Sequence, residues 1–507
     1  MNSEFPPPLM VVIVGSGFAG IGMAIKLRQA GVNDFMILER AEGVGGTWRD
    51  NTYPGAGCDI PSPLYSFSFE PDFDWPRLFS AQADILRYQQ HLVEKYRLKS
   101  QIRLNCEVKQ ANFDQTTALW TVQTSQGDLI RARVLVSATG QLNRPAYPKI
   151  PGLEAFQGQM FHSARWNHNY DLTGKRVGII GTGASAIQFI PTVVAQADQV
   201  VLFQRTPPYI LPKSDRAFTG RDRWLHHTFP VIRSLLRWRI YGSLELFGLA
   251  ILKFRPLAAI VKEICLAHLW LRVRDPELRR KLTPTYPLGC KRFLVDSKFY
   301  PAVSQPNVQL VTAGIIQVGA DDVQTDDGAK HRLDALIFGT GFAAQDFIAP
   351  MQIYGLKGQE LNAVWREGAS AYLGISVSSF PNFFMLYGPN TNLGHNSIIV
   401  MLESQIHYIM GAIATLQRSP DAFLDLKSEV QQRFNDRLQQ SLHQTVWSGD
   451  CSSWYKNPNG KITNNWPGLA TTYRNLTRNF DQQNYQLKLA RSCLPSNILH
   501  DNVKFTI

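Results

Sequence analysis

No C-x-x-C pair occurs among the six cysteines (Cys58, Cys106, Cys265, Cys290, Cys451 and Cys493), which are scattered along 507 residues. That spacing argues against a zinc centre or any other metal site and against a redox disulfide between close neighbours. Free thiols fit a reducing cytosol, so a cytoplasmic location is expected. No stretch reaches the ~18 apolar residues of a membrane-spanning helix. The apolar run Leu9–Val14 has no basic segment before it and leads straight into glycines, so it predicts a strand and not a signal core. Heptads, low-complexity tracts and short repeats are lacking too, which excludes coiled-coil and repeat architectures. Charged residues make up only 18% against 44% hydrophobic, as in ordinary globular proteins, and the length predicts two or three domains. The net charge is +12, but the basic residues form no aromatic-interleaved stripe, which argues against a nucleic-acid partner. The most apolar stretch, 244–270, is interrupted by Lys253, Arg255, Lys262 and Glu263. A buried or partly buried helical insertion is expected there in preference to peripheral contact with a membrane.

What is present is one pattern, twice. Val11–Val14 is β-branched, Gly15-Ser-Gly17-Phe18-Ala-Gly20 follows, and Ile21–Gln29 has helical character. Strand, glycine turn and helix in that order form a diphosphate-binding unit, with Gly15 for the tight turn, Gly17 for close approach and Gly20 for helix–strand packing. A second strand, Phe35–Leu38, ends at Glu39, whose carboxylate suits a ribose diol. The pattern recurs after Arg176, with Gly181-Thr182-Gly183-Ala-Ser185-Ala186 as the turn and Gln199–Phe203 as the next strand. Glu39 lies 24 positions after Gly15, and Arg205 lies 24 positions after Gly181. An acid at that offset suits a free ribose and an arginine suits a 2′-phosphate, so the first unit reads as an FAD site and the second as an NADPH site. Such ligands also account for a positive protein, because they carry several phosphates. Ala132–Gly140 and Asp334–Gly341 each place an apolar strand before a Thr-Gly turn, suited to passing under a bound dinucleotide.

With these units in place the chain resembles the type I Baeyer–Villiger monooxygenases, relatives of the flavin-containing monooxygenases. Phe156-Gln-Gly158-Gln-Met-Phe-His162-Ser-Ala-Arg-Trp166 is similar to the family fingerprint F-x-G-x-x-x-H-x-x-x-W. The nitrogen- and sulfur-oxidising relatives usually end it with Phe or Tyr, so Trp166 favours the Baeyer–Villiger branch, with N- or S-oxygenation as the alternative. The resemblance implies insertion of one oxygen atom from O2 next to a ketone carbonyl, giving an ester or lactone through a C4a-peroxyflavin. It implies FAD contacts from Gly45-Gly46-Thr47-Trp48, Tyr65 and Val108, and an active-site aspartate, Asp59, within Tyr53–Asp59. In Lys291-Arg292, the lysine would join Arg205 and Thr206 at the 2′-phosphate, and the arginine would be catalytic and also contact NADP. Asn396, within Phe380–Ser397, and Trp454, within Ser453-Trp-Tyr455, resemble active-site loop positions. His162 is expected to link domain position to nicotinamide binding. Asn167, Gly57 and Gly339 depart from residues common in relatives.

A permanently charged guanidinium suits this chemistry, since it keeps its proton and can stabilise developing negative charge. The expected fold is α/β: two Rossmann-like domains, FAD (1–150 and 340–507) and NADPH (151–339), with a helical insertion at about 215–285. A pyridine nucleotide–disulfide reductase would share that design but needs a cysteine pair by the flavin, and Cys58 has no close partner in sequence.

Overall fold

The structure, a computed structural model, describes residues 6–252, 254–449 and 453–493; Lys253 and Cys451 lie outside them. The first sheet opens with β1 (Leu9–Val14) and β2 (Phe35–Leu38), separated by helix α1 (Phe18–Gln29). It continues with β3 (Ile102–Arg103), β4 (Val108–Asp114), β5 (Leu119–Thr124) and β6 (Leu129–Ser137). β1 is buried on both faces, which is why it reads as a continuous apolar run and not as an alternation. α1 is likewise apolar nearly all round.

The second sheet is built from β7 (Gln159–His162), β8 (Arg176–Ile180), β9 (Gln199–Phe203), β10 (Val308–Val311) and β11 (Ala335–Phe338). Its order is β10-β9-β8-β11-β7, all parallel, with helix α2 (Ala184–Gln196) after β8. The chain then returns to the first sheet as β12 (Gln352–Tyr354) and β13 (Phe383–Met385). That sheet runs β12-β4-β5-β6-β1-β2-β3, with β13 parallel to β6.

Four consecutive helices follow β9: α3 (Gly220–Thr228), α4 (Pro230–Leu252), α5 (Arg255–Arg272) and α6 (Pro276–Leu282). Thr219 and Asp222 form a capping box on α3, and Asp275 caps α6. The insertion is partly buried: α4 and α5 bury one side and leave large apolar side chains exposed on the other. Two later helices hold α4, namely α7 (Ile398–Arg418) with the loop before it and α8 (Ala470–Leu476). Glu245 of α4 accepts from Asn396 Nδ2 at 2.7 Å, Thr471 N at 3.0 Å and Thr471 Oγ1 at 2.7 Å. Burial alone would raise the Glu245 pKa, but the His395 ring 3.5 Å away and hydrogen bonds from Thr471 and Asn396 hold it down to about 2. α7 is long and apolar enough to cross a membrane, yet it packs against α1 with 67% of its most apolar window buried, as a core helix does.

Candidate active site

The two glycine turns repeat each other in three dimensions. Gly15 has φ +106°, and a Cβ there would lie 2.6 Å from the Ala138 carbonyl oxygen. Gly181 has φ +105°, and a Cβ there would lie 2.6 Å from the Gly339 carbonyl oxygen. Each Thr-Gly turn thus passes directly beneath its glycine turn, and neither position tolerates a side chain. Gly339 departs from the usual alanine for a steric reason, since its Cβ would sit 2.8 Å from Cβ of Ala186. Helices α1 and α2 begin after Gly17 and Gly183 with no capping side chain, so their first N–H groups are left for an anion.

A cavity of about 350 Å³ opens from the first turn. Gly15, Gly17, Phe18, Glu39, Gly46, Thr47, Trp48, Asp59, Tyr65 and Val108 line it, with Ser185, Arg292 and Asn396 from other segments. Gly20 lies behind the wall, where a Cβ would strike the Gly15 carbonyl. Trp48 Nε1 donates to the Tyr65 hydroxyl at 3.2 Å, and Phe18 meets Tyr65 edge-on at 5.4 Å. Glu39 already accepts from Ser16 N (2.9 Å), Ser16 Oγ (2.8 Å) and Ala41 N (3.0 Å), and pairs with Arg49 at 3.2 Å. A ribose diol would therefore replace a mobile partner such as the Ser16 hydroxyl. The bare glycine backbone, two uncapped helix starts and a buried carboxylate fit an adenine dinucleotide.

At the second turn, Thr182 Oγ1 donates to the Thr206 carbonyl at 3.3 Å, which ties the turn to the segment after β9. Burial and then Arg205 lower the Lys291 pKa, so the two cations are close enough to repel. Neither has an ion pair among the described residues. Two adjacent cations without a carboxylate fit a phosphate.

Arg292 Nη2 lies 3.8 Å from Asp59 Oδ2, and Lys213 Nζ lies 3.8 Å from Asp59 Oδ1. Gln188 of α2 donates to the Gly57 carbonyl at 3.0 Å and to Asp59 Oδ1 at 3.4 Å, and accepts from Tyr53 Oη at 2.9 Å. Gly57 thus takes part through its backbone. Burial opposes the Arg292 charge, but Asp59, Tyr455, Tyr387 and Cys58 outweigh it and the pKa is raised. Burial pushes the Tyr455 phenol up to about 12 and raises that of Tyr387 as well. The result is a fixed cation among neutral phenols, able to stabilise an oxyanion.

Of the linking fingerprint, Phe156 and His162 are buried, and Gly158 lies against the Asp334 carbonyl. His162 Nδ1 accepts from Ala164 N at 3.1 Å, while Nε2 makes no hydrogen bond. Burial first and Arg165 second lower its pKa to about 4 against an opposing interaction at Gly341, so the ring is neutral. Trp166 packs on Phe189 at 5.2 Å, and Phe189 meets Tyr53 at 6.0 Å, so the fingerprint ends against the Asp59 segment. Asn167 Oδ1 accepts from Asn169 N in a local turn. Trp454 does not line the cavity; it packs on Tyr455 at 4.7 Å, and Tyr455 is the residue that acts on Arg292. The sequence reading did not single out Gln188, Lys213, Tyr387 or Tyr455. Gln188 alone had a local signal, lying three residues after Ser185 on one helix face.

Cys58, Cys106 and Cys265 are free and buried, and burial pushes Cys58 up to about 12, so no reactive thiol faces the cavity from that position. Cys290 is disulfide-bonded, with none of those three as its partner. This corrects the expectation of free thiols, which rested on spacing alone and could not see a bond between residues distant in sequence.

Two glycine turns on separate sheets, each following a strand with parallel neighbours, and one cleft drawing residues from both units define an oxidoreductase of the two-dinucleotide class. Residues 12–217 match the family described as pyridine nucleotide-disulphide oxidoreductase. A Baeyer-Villiger monooxygenase of Pseudomonas aeruginosa is 45% identical over 479 residues, covering 94% of this chain and 91% of that protein. The chain belongs to the Baeyer–Villiger monooxygenase family. Among solved structures, cyclohexanone monooxygenase from Rhodococcus sp. Phi1 bound to NADP+ superposes with TM-score 0.86 at 28% identity, over 96% of this chain and all (100%) of that one. OTEMO in complex with FAD and NADP superposes with TM-score 0.84 at 26% identity, over 96% and 100%.

Proposed function

We propose that the chain binds FAD on the first glycine turn and NADPH on the second, and converts a small ketone to an ester or lactone with Arg292 as the catalytic cation. One ketone, one O2, one NADPH and one proton give the ester or lactone, NADP+ and water. Bound FAD, once reduced by NADPH, supplies the two electrons that let dioxygen be divided between product and water. Residues 1–150 and 340–507 serve the flavin, and 151–339 serve the coenzyme. Backbone at Gly15, Gly17 and Gly46 would cradle the flavin diphosphate and Glu39 its ribose, while Arg205, Thr206 and Lys291 would hold the 2′-phosphate. Arg292 stabilises negative charge as it develops at the ketone oxygen, and Asp59, steadied by Lys213 and Gln188, orients the guanidinium. Buried Tyr455 and half-buried Trp48, Tyr65 and Tyr387 would shield that point from water, and His162, neutral and buried, acts as a positioning residue. The observation that carries this reading is Arg292 meeting Asp59 in a cleft lined by both glycine-turn units. The residue pattern supports a cytoplasmic enzyme acting on a small molecule. Purified protein should be yellow and release FAD on denaturation; release of FMN would overturn the assignment of the first turn.

A further inference from the structure

The helical insertion carries a surface that the oxygenation chemistry does not use. Among the described residues 22 large apolar side chains are well exposed, and 13 of them lie between Trp224 and Leu271. On α4, Val231 (69% exposed), Leu235 (63%), Trp238 (65%), Leu246 and Leu249 follow one another at helical spacing. That spacing places them in one stripe about 80° wide along a helix of 23 residues, roughly 35 Å. Glu245 and Gly248 lie about 20° and 80° beyond the Trp238 edge of that stripe and are turned inward: the carboxylate is bound to Asn396 and Thr471, and a Cβ on Gly248 would come 2.3 Å from the His395 ring. α5, packed on α4, repeats the arrangement, with Ile260, Ile264 and Leu271 exposed and Val261, Cys265 and Leu269 buried. Amphipathic helices of a globular protein turn such stripes inward, and here they are turned out.

Charge identifies what would cover them. Residues 220–282 hold 13 Lys and Arg against five Asp and Glu, a net +8 of the chain's +12. Arg239, Lys262 and Arg272 of α4 and α5 are exposed, with Glu263 the exposed acid on α5; Arg221 and Arg223 of the preceding α3 are exposed too, Arg223 paired with Asp74. Apolar stripes carrying Trp and Leu, with arginine and lysine around them and neither helix apolar enough to span, describe a segment that lies in the surface of a bilayer. We propose that α4 and α5 form a membrane-docking face that takes anionic lipid, with the apolar stripes entering the headgroup–acyl boundary and the cations meeting the headgroups.

The test is co-sedimentation of the FAD-loaded full chain with vesicles of phosphatidylcholine alone or with 30% phosphatidylglycerol, at ~50 and ~500 mM salt. Binding is expected to the anionic vesicles, to weaken at the higher salt, and to fall at least tenfold in Leu235→Glu/Trp238→Glu. These side chains are already in solvent, so the double variant should keep its flavin and its NADPH-dependent turnover of a water-soluble ketone. Leu271→Glu tests the second helix in the same way. No binding of the wild type, or equal binding by the double variant, overturns the proposal. So does a self-associated wild type that ignores vesicles and becomes monomeric in the double variant, since the stripes would then meet a second copy of the chain.

Discussion

Arg292 is 38% exposed at its side chain, opens to the cleft, and forms an ion pair with Asp59 at 3.8 Å, too long for a hydrogen bond, so its N–H donors are not spent on that carboxylate. Its charge is therefore available to a reacting oxygen. Arg292→Ala should retain FAD and remain reducible by NADPH, while ester formation falls ~100-fold or more and NADPH oxidation continues with release of hydrogen peroxide. Lysine should not rescue it, because a point charge lacks the planar donor fork. Near wild-type ester formation in the alanine variant, with bound FAD quantified, would contradict the role. Arg205 is proposed to make a different kind of contact, with the coenzyme 2′-phosphate. Losing one charge-assisted contact costs ~1.5–3 kcal/mol, so Arg205→Ala should raise the KM for NADPH roughly ten- to a hundredfold and leave that for NADH nearly unchanged. Equal changes would refute a 2′-phosphate site. His162 yields a pH signature. Its pKa is lowered to about 4 from an ordinary 6.5, so between those values the unfolded chain binds a proton that the folded chain refuses. The stability this neutral ring contributes is intact above about pH 6.5 and is lost as pH falls towards 4, at up to ~1.4 kcal/mol per pH unit. Urea midpoints measured across that window should lose this component in His162→Phe.

The repeated strand–turn–helix elements were legible because their signal is local. A β-branched run ending in glycine needs only its own residues to predict a sharp turn, and the φ of +106° at Gly15 and +105° at Gly181 is what those glycines permit. Gly15→Ala should yield colourless or flavin-poor protein, whereas Gly181→Ala should stay yellow and lose reduction by NADPH; the reverse pattern would exchange the two sites. The helices of 220–282 were legible from their lack of strand alternation, and their partial burial with them, but which face stays exposed was not. An apolar helix reads alike whether a neighbour covers it or not, and only tertiary packing decides. α4 depends on such packing through Glu245. Glu245→Ala removes the acceptor for Asn396 and Thr471 and should cost about 2–3 kcal/mol in urea unfolding. The Glu245 pKa is held down to about 2, so its contribution is present above the ordinary carboxylate range and is lost as pH falls towards 2.

Across the whole molecule the site is a meeting of distant segments: Asp59 from the first unit, Gln188 from α2, Lys213 and Arg292 around the helical insertion, and Tyr387 and Tyr455 from the returning chain. Arg292 and Asp59 could be singled out only because the residues around them resemble a family pattern; nothing in their own spacing joins positions so far apart. Lys213 and Tyr387 carry no such signature, and the choice of Trp454 over its neighbour Tyr455 turned on which ring faces inward, a matter of loop conformation. The Cys290 disulfide was hidden for the same reason. On the proposed assignment the cation acts when flavin, coenzyme and ketone meet beside it, so oxygenation should be coupled to NADPH oxidation. That coupling is measured directly by single-ketone turnover under 18O2 with NADPH counted against product. One 18O atom in the ester or lactone for each NADPH consumed is the predicted result, and NADPH consumption that yields unlabelled ester, or none, would contradict the account.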